Sequence, residues 1–197
     1  MAFSTSRLIL REYCALSVVT SDNAMAHTIL AVVGPERYQA LLRAAGCVRA
    51  DLPSGFLDAD MPRLKEALTT VEDQLALLDY PWRVEALAPL REWMANNLRN
   101  TRLSAHVDIP WHFAHKTGSF LGVVNDAGVF YRDDVALSVV ALCSAEPDSM
   151  LTSIAMAELG RHLVALMDSA FPPGTPSRGR RSRSDPEILT SDVNHRT

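Results

Sequence analysis

Lysine is almost missing from this 197-residue chain: seventeen of its nineteen basic residues are arginine, leaving only Lys65 and Lys116 for chemistry that needs a primary amine. Cysteine is sparse too. Cys14, Cys47 and Cys143 form no C-x-x-C pair and leave one odd, which supports neither a disulfide framework nor a zinc site and reads as buried free thiols. No apolar run approaches the roughly 18 residues that span a bilayer, Val135 to Cys143 being among the longest. The opening MAFSTSRLILRE lacks the apolar stretch and small-residue cleavage site of a secretory signal. There is no glycine-rich phosphate loop and no internal repeat. Nineteen basic against twenty-three acidic residues give a net charge of −4, too mild an imbalance for a nucleic-acid binder. What is present, 48% hydrophobic and 21% charged residues, is the balance of a globular domain with a sizeable core.

The chain divides into a helical front, a strand-rich centre, a closing helix and a tail. Leu8 to Val19 reads as a helix stopping near Thr20, and Ala24 to Val33 as a second. Between them Ser21-Asp22-Asn23 has the cap chemistry of a helix–turn–helix break. Pro35 suits the start of a third helix, whose Tyr38, Leu41, Leu42 and Ala45 form one stripe and which Gly46 closes. Cys47 to Leu68 reads as irregular. Thr70 with Asp73 resembles a capping box for a helix through about Tyr80 that Pro81 is expected to break, and Val84 to Asn97 reads as a further helix. Trp111 to Lys116, Val123 to Tyr131 and Val135 to Cys143 read as strands, the last two joined at Asp133-Asp134. Asp148 to Ala170 returns to helical period with Leu151, Ile154, Ala155, Leu159, Leu163 and Leu166 on one stripe, and Pro172 ends it. Residues 171–197, rich in Pro, Ser and Arg, read as a disordered tail.

Two short motifs carry chemistry: Ser21-Asp22-Asn23 between helices and Lys116-Thr117-Gly118-Ser119 at a strand end. Taken singly, the first serves equally as a helix-cap cluster and the second as an ordinary strand end. Taken together, in this order and setting, they resemble the S-D-N and K-T-G signatures of class A β-lactamases and penicillin-binding proteins. TSRLILREYCALSVVTSDNAMAHTIL is similar to that family's helix–turn–helix segment, and HKTGSFLGVVNDAGVFY to its active-site strand and hairpin. The helix after Pro147 resembles the family's C-terminal helix, so the resemblance runs from about Thr5 to Ala170.

The resemblance implies a role for each residue. Ser21 relays a proton toward the leaving nitrogen, and the Asn23 amide binds the substrate's side-chain carbonyl. Lys116 places positive charge beside Ser21 and the substrate carboxylate, which Thr117 also hydrogen-bonds. Gly118 lets substrate lie close along the strand edge, and the Ser119 N–H is one oxyanion donor. Asp22 caps or braces the turn. If so, Ser21, Asn23 and Lys116 must converge on an open cleft, with Lys116 and Ser21 about 3 Å apart or joined through one water.

Two parts of the family pattern have no counterpart. The nucleophile motif S-x-x-K is absent, since Pro62 stands three residues before Lys65 and Phe113 three before Lys116. GFLDADMPRLKEAL occupies the place of the family's E-x-x-L-N loop without that motif, leaving Asp58, Asp60 and Glu66 as distant candidates for deacylation. His112-x-x-His115 is no metal pair, because i and i+3 on a strand face opposite sides. Trp82, Trp93 and Trp111 read as packing, and the Arg178–Arg183 segment as a charged tail.

The expectation is therefore an α/β (α+β) β-lactamase/transpeptidase-like fold, helices packed on an antiparallel sheet. It comprises a domain over residues 1–170, incomplete at its N-terminus, and a tail over 171–197. The resemblance implies a serine hydrolase forming an acyl-enzyme with a small β-lactam or related amide, without metal or cofactor, inactive as this chain. Family members are usually exported, although this chain shows no signal peptide. A non-catalytic remnant or binding protein of the same fold and a D-Ala-D-Ala carboxypeptidase-like enzyme remain the alternatives.

Overall fold

The computed structural model describes residues 8–51 and 68–172. At its centre lie three antiparallel strands, β1 (His112–Phe120), β2 (Val123–Arg132) and β3 (Val135–Ser144), in the order β1-β2-β3. Tight turns at Leu121-Gly122 and Asp133-Asp134 join them, Gly122 and Asp133 taking φ of 67° and 51°.

Strand alternation builds two apolar faces. On one, α4 (Val71–Arg83) and α5 (Ala88–Ala95) deliver Leu78 and Met94 onto Ala114, Ala127 and Val129. On the other, α6 (Ser149–Ala170) brings Met167 against Leu103, Trp111, Phe113 and Phe130. Leu103 and Phe130 are fully buried, each contributing about 1.5–3 kcal/mol. Asp168 pins the end of α6 by accepting from Trp111 Nε1 at 2.8 Å and Arg132 at 2.9 Å.

The remaining helices are α1 (Leu10–Val19), α2 (Asn23–Val33) and α3 (Pro35–Ala45). Glu12 accepts from the Ile9 N–H at the start of α1, Asp22 caps α2, and Pro35 with Gly46 bounds α3. α1 packs on α5, yet neither α1 nor α2 has a fully buried residue. Asp51 and Leu68 exchange two backbone hydrogen bonds, 3.0 and 2.9 Å, that bring residues 51 and 68 together. Asp73 fastens the neighbouring chain: the Val48 and Arg49 amides donate to its carboxylate at 2.7 and 2.9 Å and hold it below the usual carboxylate range. Asp58, Asp60, Glu66 and the tail beyond Pro172 lie outside the described residues.

Four elements differ from expectation. Pro81 does not break α4; it sits buried in the last turn, where little helix remains for its missing N–H to disrupt. The expected helix over Val84–Asn97 divides into a 3-10 turn, Glu85–Leu87, and α5, because Pro89 is suited to the first α-helical turn. The capping box at Thr70 is half made: Thr70 Oγ1 accepts from Asp73 N at 3.2 Å, but Asp73 turns to Val48 and Arg49. On α6 the leucine stripe faces outward, with Leu151, Ile154, Leu159 and Leu166 exposed, Ala155 likewise exposed and Leu163 half-buried. The helix seats itself instead through Met156, Ala157, Gly160 and Met167, because a glycine at 160 allows backbone-close contact: a Cβ there would overlap the Leu103 carbonyl. α6 is also long and apolar enough to cross a membrane by length and composition, but those four residues seat it on the sheet and on Leu103.

No residue of β3 is fully buried, and among the described residues its outer edge has no strand partner. Ten uncharged edge residues on β3 and the exposed leucines on α6 are surfaces that invite association. The purified chain should unfold in a broad, early transition, bind a hydrophobic dye strongly and self-associate. A Ser138→Lys change at an exposed position of β3 should reduce that association. A monomer melting sharply above about 65 °C would contradict this.

Candidate functional site

The S-D-N turn is shaped by its own backbone. At the end of α1 the Thr20 hydroxyl donates to Leu16 O at 2.8 Å, and the chain then reverses at Ser21, whose φ is 59°. A left-handed serine costs about 1–2 kcal/mol. Asp22 offsets this by accepting from Met25 N at 2.9 Å, which starts α2 and leaves Asn23 exposed at its first turn.

Lys116 reaches this turn from β1. Its Nζ donates to Ser21 Oγ at 2.7 Å and to Thr117 O at 2.6 Å, joining residues 95 positions apart in sequence. Burial pushes the ammonium below the ordinary lysine value; Asp126 pulls it back up, while Arg99 and Arg102 push it further down. Asn97 holds the two motifs in register: its Nδ2 donates to Val18 O at 3.0 Å and to His115 O at 3.3 Å. Leu98 N adds a bond to Val19 O at 2.9 Å.

A cleft of about 810 Å³ opens beside this junction, with Ser21, Asn23, Lys116, Thr117, Gly118 and Ser119 all on its wall. The residues of the two motifs are thus at one place, with Asp22 beside them as the helix cap. A Cβ on Gly118 would meet Asn125 only at ordinary contact distance, 3.7 Å, so sheet packing does not require glycine there.

Arg99 and Arg102 were not foreseen. Both line the cleft, so with Lys116 three cations face it, against one carboxylate, Asp22, among its described lining residues. Arg102 is buried, donating to Gly118 O at 2.8 Å, to Ser119 Oγ at 2.5 Å and to Asn125 O. Burial lowers its pKa while Asp126 raises it. Nothing in sequence marks these two among seventeen arginines. Elsewhere, exposed His112 stacks on Tyr131 while His115 is buried on the opposite face of β1. The three thiols are free and half-buried. Trp111 is buried with the Arg132 guanidinium 4.1 Å from its ring centre, and Trp82 and Trp93 are half-buried.

A helix-backed antiparallel sheet whose S-D-N turn meets a K-T-G strand beside a cationic cleft defines the β-lactamase/transpeptidase-like fold. The chain belongs to the Beta-lactamase enzyme family, whose model matches residues 3–167. Similar solved structures include the β-lactamase from Sphaerobacter thermophilus, at TM-score 0.71 and 20% identity, covering 84% of this chain. PBP-A matches with TM-score 0.71 and 20% identity over 85% of this chain. A β-lactamase from Streptosporangium roseum gives 0.62 and 19% over 81%. The chain spans 65% of the Sphaerobacter protein, 64% of PBP-A and 66% of the Streptosporangium protein. No curated protein matches the sequence.

The half-buried ammonium makes a signed prediction. A lysine with a lowered folded-state pKa binds its proton more tightly in the unfolded chain, so stability rises with pH between the folded value and the ordinary 10.5. Relative to Lys116→Met, the wild type should therefore be at its greatest disadvantage near neutral pH and recover as pH approaches 10.5. Urea unfolding of both proteins from about pH 7 to 10 measures it. A gap that stays constant or moves the other way would contradict the burial of Lys116.

Proposed function

We infer that residues 1–170 form the carboxylate-binding and proton-relay part of a β-lactamase-like serine hydrolase. Its substrates would be small anionic amides, a β-lactam or a related peptide. One observation carries the reading: Lys116 Nζ stands 2.7 Å from Ser21 Oγ on the wall of a cleft with three cations. A solved PBP-A variant holds penicillin G as an acyl-enzyme, which is the kind of ligand such a cleft would take.

In this reading the substrate carboxylate lies against the Thr117 hydroxyl and the positive charge of Lys116 and Arg102. Charge-assisted bonds of this kind contribute about 1.5–3 kcal/mol each. Asn23 orients the substrate's amide side chain, and Gly118 leaves room for it along β1. The Ser119 N–H donates to the oxygen that becomes negative during acyl transfer. Ser21 passes its hydroxyl proton to the departing nitrogen and takes one in return from the Lys116 ammonium along the hydrogen bond already in place. Arg102, already on Gly118 O and Ser119 Oγ, braces the strand edge where these contacts form.

The 197 residues contain no S-x-x-K, which favours a second reading for this chain by itself: recognition without turnover. Purified protein should bind benzylpenicillin reversibly and leave a chromogenic cephalosporin intact. Lys116→Met should weaken binding about tenfold or more. Turnover that disappears on Ser21→Ala would overturn this and make Ser21 the nucleophile. An affinity unchanged in Lys116→Met would remove the carboxylate site.

A further inference from the structure

Next to Lys116 on β1 lies a buried polar junction that no step above uses. His115 is 1% exposed and Asp126 is fully buried. The imidazole Nδ1 donates to Asp126 Oδ1 at 2.8 Å, and Nε2 lies 3.0 Å from Asn100 Oδ1. The other Asp126 oxygen accepts from Leu103 N at 3.1 Å. One imidazole and one carboxylate therefore hold the segment from Asn100 to Leu103 at both ends. That segment contains Arg102 and directly follows Arg99, two of the three cations facing the cleft. The third, Lys116, is the next residue along His115's own strand.

The surroundings are built for this side chain. Gly128 pairs directly with His115 across the sheet, and a Cβ there would overlap the His115 Cβ and the Ala114 carbonyl. The Phe113 ring stacks on the imidazole at 4.7 Å. A buried hydrogen-bonded pair stabilises a fold little better than apolar groups of the same shape, so its contribution lies in geometry. Here the geometry is that of the cleft wall, since Arg102 is fixed on Gly118 O and Asn97 on His115 O.

We propose that His115 is a positioning residue for anion recognition: through Asn100 it sets the Arg99–Arg102 segment, and through its strand Lys116, so that three cations meet one substrate anion. The proposal rests on the cationic-cleft reading above and adds the part that holds the cations in place. It requires that His115 act through Asn100, which separates it from a merely structural histidine.

Two variants test this. His115→Asn keeps a donor near the Nδ1 position for Asp126 but no longer reaches Asn100. Asn100→Ala removes the same link from an exposed residue whose loss leaves the core intact. With benzylpenicillin as the calorimetric probe, each variant should bind about fivefold or more weakly. The double variant should bind no more weakly than the weaker single one, because both break one link. Asn100→Ala should retain the wild-type unfolding midpoint. In the unliganded proteins, the backbone amide resonances of residues 99–103 should move in the same sense in both variants. Wild-type affinity in either variant, or losses that add in the double, would overturn the proposal. If the wild-type chain itself does not bind benzylpenicillin, the functional reading fails and the free-state resonances decide. A shared displacement reaching Arg102 then upholds the positioning role, and changes confined to each mutated residue's neighbours defeat it.

Discussion

A half-buried ammonium needs acceptors, and the organisation of this molecule follows from supplying them to Lys116. Two of its hydrogen bonds are provided, by Ser21 Oγ and Thr117 O. The first requires the turn between α1 and α2 to stand against the middle of β1, although the two are far apart in the chain. Asn97 meets that requirement by binding α1 at Val18 and β1 at His115 with one amide. The left-handed backbone at Ser21 is the local expense of presenting its hydroxyl outward, and the Asp22 cap is its local compensation.

The apolar and polar parts of the structure divide the work. Leu78, Met94, Phe113, Phe130 and Met167 hold the sheet between its helices. Asn97, Asn100, Arg102, His115 and Asp126 run through one end of that assembly and set the cleft. Coverage is uneven: α1, α2 and β3 hold no fully buried residue, whereas β2 is buried along most of its length. The cleft wall is thus well fixed while one edge of the sheet and part of α6 stand open.

Much of the site could be read from sequence because its residue types are scarce or positionally constrained. With only two lysines, Lys116 had little competition, and Asp22 before an apolar helix has few uses other than a cap. The second and third strands announced themselves through β-branched runs and the turn at Asp133-Asp134, whereas β1 runs on to Phe120, past the strand end expected at Lys116. What could not be read depends on contacts between distant segments. The inward side of α6 is set by Gly160 closing on Leu103, and an apolar period alone points to the leucines instead. Arg99 and Arg102 resemble every other arginine until the sheet places them. His115 and Asp126 meet only once the register of β1 against β2 is known.

The scarcity of lysine also provides the most direct test of the convergence of the two motifs. Uniform 15N labelling of lysine leaves two side-chain ammonium environments, Lys65 and Lys116, to follow through a pH titration with and without benzylpenicillin. Convergence predicts that one of them titrates below 10.5, responds to a Ser21→Ala change and shifts when benzylpenicillin is added. Two lysines titrating at the ordinary value, neither sensitive to Ser21 nor to benzylpenicillin, would contradict it.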